Sequence, residues 1–151
     1  MVDIRTEWNP DELQSTWLLK GSVLDTGEDL KTAFIISLMT DRTAEDDDVL
    51  PDPTDDDRRG WWADWQASEI WGATPIGSRL WLLRREKWTE DVRARAEDYV
   101  REALQWFLDL KIGTRLDVTA TRTEMEHIEV TVDAYRGSTR LLDLRWQTLW
   151  S

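Results

Sequence analysis

Six of the eleven tryptophans in this chain of 151 residues fall in one stretch, DDDRRGWWADWQASEIWGATPIGSRLWLLRREKW, from Asp55 to Trp88. They are Trp61, Trp62, Trp65, Trp71, Trp81 and Trp88, and two arginine pairs, Arg58-Arg59 and Arg84-Arg85, are set among them. Each buried aromatic removes on the order of 150–250 Å² from water. A chain of this length buries roughly 70% of its unfolded surface and cannot leave so much aromatic area solvated. The stretch is therefore the middle of a core or a surface shaped for a partner. Core is the default for most tryptophans. Trp mixed with paired Arg is also the composition of interface hot spots. The expectation is core plus interface, with Arg58, Arg59, Trp61, Trp62, Asp64, Arg79, Trp81, Arg84 and Arg85 as candidate partner-binding residues. The arginines are expected to pair with nearby acids, and Asp64 is the obvious local carboxylate.

The length suggests a single domain spanning residues 1–151. There is no cysteine, which removes disulfides, thiolate metal sites and a cysteine nucleophile. MVDIRTEWNP does not read as a signal peptide, and the longest apolar run, Ala33 to Met39, is far short of the roughly 20 residues a membrane span needs. The net charge is −12, and eight acids with no base lie between Glu45 and Asp57, which leaves −4 on the remainder. A nucleic-acid binder needs a basic face to displace counterions; the balance here is acidic, with only small basic clusters, so neither nucleic acid nor membrane insertion is expected.

The N-terminal residues 1–12 read as an extended lead-in, and Ser15 to Leu24 as a short strand or a hairpin turning at Lys20-Gly21. Leu30, Phe34, Ser37 and Leu38 keep helical spacing, with Glu28 and Asp29 suited to a first turn, so a helix is expected over about 28–40. Residues 43–57 read as an acidic, mobile, solvated loop; they lack the spacing of an EF-hand calcium loop. Ser78 is a candidate N-cap for a short helix over about 79–86. Thr89 caps a long amphipathic helix over about 89–111, some 22 residues and roughly 33 Å long. Val92, Ala96, Tyr99, Val100, Ala103, Phe107 and Leu110 form its apolar face. Asp91–Arg95 and Glu97–Arg101 are well-oriented pairs on the other face, and Gly113 is placed to end the helix as a left-handed cap.

Beyond Gly113 the period changes to two. Leu116, Val118 and Ala120, then Ile128, Val130, Val132 and Ala134, then Leu142, Leu144, Trp146 and Thr148, alternate with polar residues. With turns near Glu124 and at Arg136-Gly137-Ser138, this is a three-stranded antiparallel meander over about 114–149. Covered by the helix on one face, it makes an α+β fold. The last strand leaves an open edge on which Asp143 and Arg145 discourage random pairing while admitting a charge-matched strand.

Chemistry finds little support. His127, the lone histidine, falls on the polar face of its strand and cannot build a zinc site by itself. No nucleophile-elbow motif is present. The many carboxylates show no pattern that buries one and exposes another, as a glycosidase needs.

Thr40-Asp41-Arg42, Asp57-Arg58-Arg59-Gly60-Trp61-Trp62 and Gly77-Ser78-Arg79-Leu80-Trp81-Leu82-Leu83 together resemble the Mu-like phage family of baseplate components. The resemblance covers nearly the whole chain. It departs at Ala63, where the family shows a second glycine before Asp64. The family is similar in role to the small wedge subunit of T-even phage baseplates. That resemblance implies a structural part without catalysis, cofactor or metal, located in the virion tail baseplate and assembled in the host cytoplasm. The implied partners are the larger baseplate wedge protein, joined through a helical bundle, the tail sheath protein, whose polymerisation starts on a sheet edge, and other baseplate proteins. T-even subunits carry Glu-Pro-Arg after their long helix; Leu110-Lys111-Ile112 stands here, so the detailed bundle contact is not carried over. The alternative from another class is a tail protein that binds or hydrolyses glycan through exposed Trp and carboxylates.

Overall fold

The computed structural model describes residues 6–9, 14–17, 19–20, 23–24, 29–62, 64, 75–122 and 128–148. His127, Trp65, Trp71 and the turn near Glu124 lie outside them. The chain divides into two compact units, Met1–Ala33 and Phe34–Ser151. In the first, β1 (Thr6–Asn9) pairs antiparallel with β2 (Gln14–Trp17), and β3 (Leu19–Lys20) with β4 (Val23–Leu24). The hairpin expected at Lys20-Gly21 is thus the second of these pairs.

Helix α1 (Asp29–Met39) begins and ends within a residue of the expected span. Phe34, Ser37 and Leu38 are buried along one stripe, while Ile35, Ile36 and Met39 are exposed. After an intervening segment comes a 3-10 helix, Arg79–Leu83, which buries Leu80 to Leu83. Helix α2 (Glu90–Ala103) follows. The Oγ1 of Thr89 accepts a hydrogen bond from the Val92 amide, with Glu90 and Asp91 in the first turn, where the dipole favours acids. Val92, Ala96, Val100 and Ala103 are buried, and the expected Asp91–Arg95 and Glu97–Arg101 pairs form at 3.1 and 3.3 Å.

The expected single helix over 89–111 is broken at Leu104, whose φ of −104° and ψ of 6° interrupt it before α3 (Gln105–Asp109). The apolar stripe does not continue in register past the break. Phe107 is fully buried, but Leu110 is 69% exposed rather than inward. The break seats Phe107 and Trp106 edge-on against Phe34, with ring centroids 5.3 and 5.7 Å away and interplanar angles near perpendicular. Such geometry adds about 0.5–1.5 kcal/mol per pair beyond area burial. The Trp106 indole N–H donates to Ser37 Oγ at 3.0 Å, which explains a buried serine in α1.

The sheet has the expected order, β5 (Arg115–Arg122), β6 (Ile128–Arg136), β7 (Thr139–Thr148), all antiparallel. Val118, Ala120, Ile128, Val130, Val132, Ala134 and Leu144 form its buried face. Helix α2 packs alongside β5.

Gly113 corrects the sequence reading. The left-handed residue after α3 is Lys111, at φ 55°, and Gly113 does not have positive φ. Its lack of a side chain serves packing instead: a Cβ there would sit 1.9 Å from Phe107 Cζ and 2.7 Å from the Tyr135 carbonyl. Gly113→Ala is therefore expected to lower stability by about 1–3 kcal/mol, the usual cost of overpacking. Leu110→Ala, at an exposed site, is expected to stay within about 0.5 kcal/mol of wild type. Paired urea denaturation curves test both, and equal midpoints for the two variants would contradict this account of Gly113.

Candidate functional site

The three sequence motifs meet at one place. A parallel bridge joins Asp41 to Ser78, in which the Ser78 amide donates to the Thr40 carbonyl at 2.9 Å and the Arg42 amide to the Ser78 carbonyl at 3.0 Å. Gly77, at φ 106°, permits this approach, since a Cβ would lie 2.5 Å from the Thr40 carbonyl. Ser78 occupies the N-cap position but makes no side-chain cap; its hydroxyl donates to the Leu38 carbonyl at 2.8 Å, tying the 3-10 helix to the end of α1. The tertiary acceptor takes the hydroxyl that a local reading assigns to the helix.

Trp81 is 4% exposed and donates its indole N–H to the Arg42 carbonyl at 2.8 Å. It packs with Ala44 and Leu82, and with the half-buried Leu50 and Tyr99. The Arg59 guanidinium lies over the Trp81 ring, 4.6 Å from its centroid, and pairs with Asp41. Arg59 has a left-handed φ of 54°, and its amide donates to Asp57 Oδ1 at 2.8 Å. Gly60 follows at φ 110°, with Thr43 Oγ1 2.0 Å from where a Cβ would be.

Arg79 is the centre of the ion pairs. Its Nε and one terminal nitrogen grip both oxygens of Glu102 at 2.9 and 3.2 Å, and the other nitrogen bonds Asp48 at 2.9 Å. Burial by itself would depress the Arg79 pKa; the Glu102 and Asp48 carboxylates outweigh it and hold the guanidinium above its ordinary range. Its plane also stacks 4.8 Å from the Tyr99 centroid. The acidic segment is therefore tied at specific points: Asp48 by Arg79, the Glu45 and Asp46 carbonyls by Arg58, and Asp52 by Arg85 at 3.0 Å. Glu45 to Asp47 and Asp55 to Asp57 are exposed.

The arginines do not pair with Asp64, as expected from its proximity. Both Asp64 oxygens instead accept from the Ile76 amide, at 3.2 and 3.1 Å. Trp61 and Trp62 are 44% and 80% exposed, with ring centroids 5.6 Å apart. They line a cleft with Arg42, Glu45, Arg59 and Pro75. Arg84 and Arg85 are exposed beside a second groove, next to Asp52 and Asp55.

Asp143 and Arg145 lie on β7. Their side chains are about half and 70% exposed; Arg140 bridges Asp143 and Asp133 at 3.4 and 3.1 Å, and Arg145 approaches Glu129 at 3.9 Å. The two edges of the sheet differ. On β5, the Ala120 amide donates to Glu97 Oε1 at 3.1 Å and the Val118 carbonyl accepts from Arg101 at 3.3 Å, both side chains belonging to α2. Backbone groups in an antiparallel ladder alternate in direction. With Val118 and Ala120 turned outward, Val130, Val132 and Ala134 face β7, and the N–H and C=O of Asp143 and Arg145 point away from the sheet. No described strand pairs with that side of β7. The special status of Glu97 and Arg101 was visible in sequence only as a helical ion pair.

Trp81 and Trp62 are expected to respond oppositely to truncation. Trp81→Ala should cost about 3–5 kcal/mol as a core deletion, and Trp62→Ala should change stability by no more than about 0.5 kcal/mol. Thermal unfolding of both variants checks this, and comparable destabilisation would place Trp62 in the core.

Among known proteins, the family described as phage protein GP46 matches residues 30–140. The chain is 49% identical over 102 residues to baseplate protein gp46 of Escherichia phage Mu, a match covering 68% of this chain and 64% of that protein. It is 30% identical over 141 residues to the Mu-like prophage FluMu protein gp46 of Haemophilus influenzae, covering 92% of each. The chain thus spans about 64% of the Mu protein's length.

Proposed function

The chain belongs to the GP46 family of phage proteins, and from that premise we propose that it is a non-catalytic structural subunit of a contractile tail baseplate. Its relative in phage Mu is named a baseplate protein. Within that role, the chain serves as a wedge subunit that joins the larger wedge protein and starts sheath assembly by strand addition. The observation that carries the strand-addition reading is the asymmetry of the sheet: β5 has outward backbone groups engaged by α2, while no described strand lies beyond β7. Main-chain hydrogen bonds to an added strand would supply the join, and the exposed Asp143 and Arg145 would select its charge pattern. Arg59, Arg79 and Trp81 serve this function by fixing the motifs together. Trp61, Trp62, Arg84 and Arg85, all exposed, would meet the larger wedge protein, since Trp and Arg dominate such contacts.

Co-expression with the larger wedge protein and the sheath protein of the same tail cluster tests both halves. A defined complex with the wedge protein is expected by light scattering, weakened by Trp62→Ala. Sheath addition is expected to fail with Asp143→Pro, which deletes an outward amide at an edge position where proline is tolerated, while the wedge complex survives. Absence of any wedge complex at micromolar concentration would overturn the wedge assignment. Normal sheath addition with Asp143→Pro would overturn the β7 assignment.

A further inference from the structure

We infer that Glu97 and Arg101 determine which edge of the sheet can accept a second strand. A bare edge strand offers a row of unused donors and acceptors to any passing strand. On β5 one outward group on each of two alternate residues, the Ala120 amide and the Val118 carbonyl, is already engaged. Glu97 Oε1 takes the Ala120 amide and Arg101 gives a hydrogen bond to the Val118 carbonyl. One helical turn therefore supplies the acceptor and the donor that a neighbouring backbone would otherwise bring. The pair is held ready. Glu97 has only 12% of its side chain exposed and is bound by Arg93 as well as Arg101, at 2.5 and 3.3 Å. Arg93 is also held by Glu90, and Arg101 by Asp98 at 3.0 Å, so the lock is braced from both sides along α2. Among the described residues the other side of the sheet has no equivalent. The side chains of Asp143 and Arg145 pair with Arg140 and Glu129 rather than with a neighbouring backbone.

The occupant excluded from β5 is a strand, whether from a second copy of this chain or from a partner that belongs on β7. The consequence for assembly, growth from one edge only, rests on the strand-addition reading above. The lock itself does not, and it is tested on the isolated protein.

In the wild type, amide exchange at Ala120 is expected to be slow, like that of amides inside the β5–β6 ladder, whereas the amides of Asp143 and Arg145 exchange fast. Glu97→Ala should accelerate Ala120 by about fivefold to tenfold, the worth of one hydrogen bond; Glu97→Gln, which keeps an acceptor oxygen, should retain most of the protection. The neighbouring arginines keep Glu90 and Asp98 in these variants, so no charge is stranded. The double variant E97A/R101A should self-associate with rising concentration by light scattering, and adding D143P should not reverse it, because the new contact is on β5. Fast exchange of Ala120 in the wild type overturns the proposal whatever the variants do. A folded E97A/R101A protein that stays monomeric, or one whose association D143P abolishes, overturns it as well. Normal sheath addition with Asp143→Pro, which overturns the strand-addition reading, would leave these outcomes unchanged.

Discussion

The indole N–H of Trp81 needs an acceptor once the ring is buried, and the Arg42 carbonyl provides it across 39 residues of sequence. A buried donor left without a partner costs about 1–3 kcal/mol. Much of the larger unit is arranged so that this pair can meet. Gly77 lets the 3-10 helix approach the chain at Thr40, Ser78 fastens it to the end of α1, and Arg59 closes over one face of the indole. The three motifs that look like separate signatures along the chain are the parts of one clasp. Their residue types follow from its geometry: glycine where backbones touch, serine where a carbonyl needs a donor, arginine where an aromatic face and a carboxylate adjoin.

What could be read from the sequence was what depends on local period. The alternation after Gly113 placed all three strands, and the turn at Gly137-Ser138 follows from a glycine free to take φ 60°. The cap at Thr89 and the two ion pairs on α2 also follow from spacing alone. What could not be read depends on contacts distant in sequence. The break at Leu104 has no glycine or proline to announce it, and Leu110 then falls outside the apolar stripe. Gly113 has a glycine's appearance of a cap, but its reason is the Phe107 ring. Composition makes residues 43–57 look uniformly solvated, yet Asp48 is the partner of an arginine 31 residues away. Proximity in sequence points Asp64 at the nearby arginines, and the backbone of Ile76 claims it instead.

The charge pattern can be understood in the same way. A net charge of −12 would disfavour compaction if its acids faced one another. Here the arginines of the motif region reach back into the acidic segment, and those of α2 alternate with acids along its surface. Exposed pairs of this kind contribute little individually, about 0–1 kcal/mol. Their value is positional. Arg85 and Asp52 hold a surface in place, whereas Arg79, less exposed and bonded to two carboxylates, determines where the acidic segment crosses the 3-10 helix.

A sheet of three strands has two edges, and an assembly that grows in one direction needs them to be chemically different. Helix α2 provides the difference without a fourth strand. It packs its apolar stripe beside β5 and spends two polar side chains on the backbone there. Glu97 is thereby placed where three arginine and backbone donors converge, a position a surface ion pair alone would not justify. The same helix that covers the core thus also engages the outward backbone of β5, so that packing and edge protection are two uses of adjacent faces of one element.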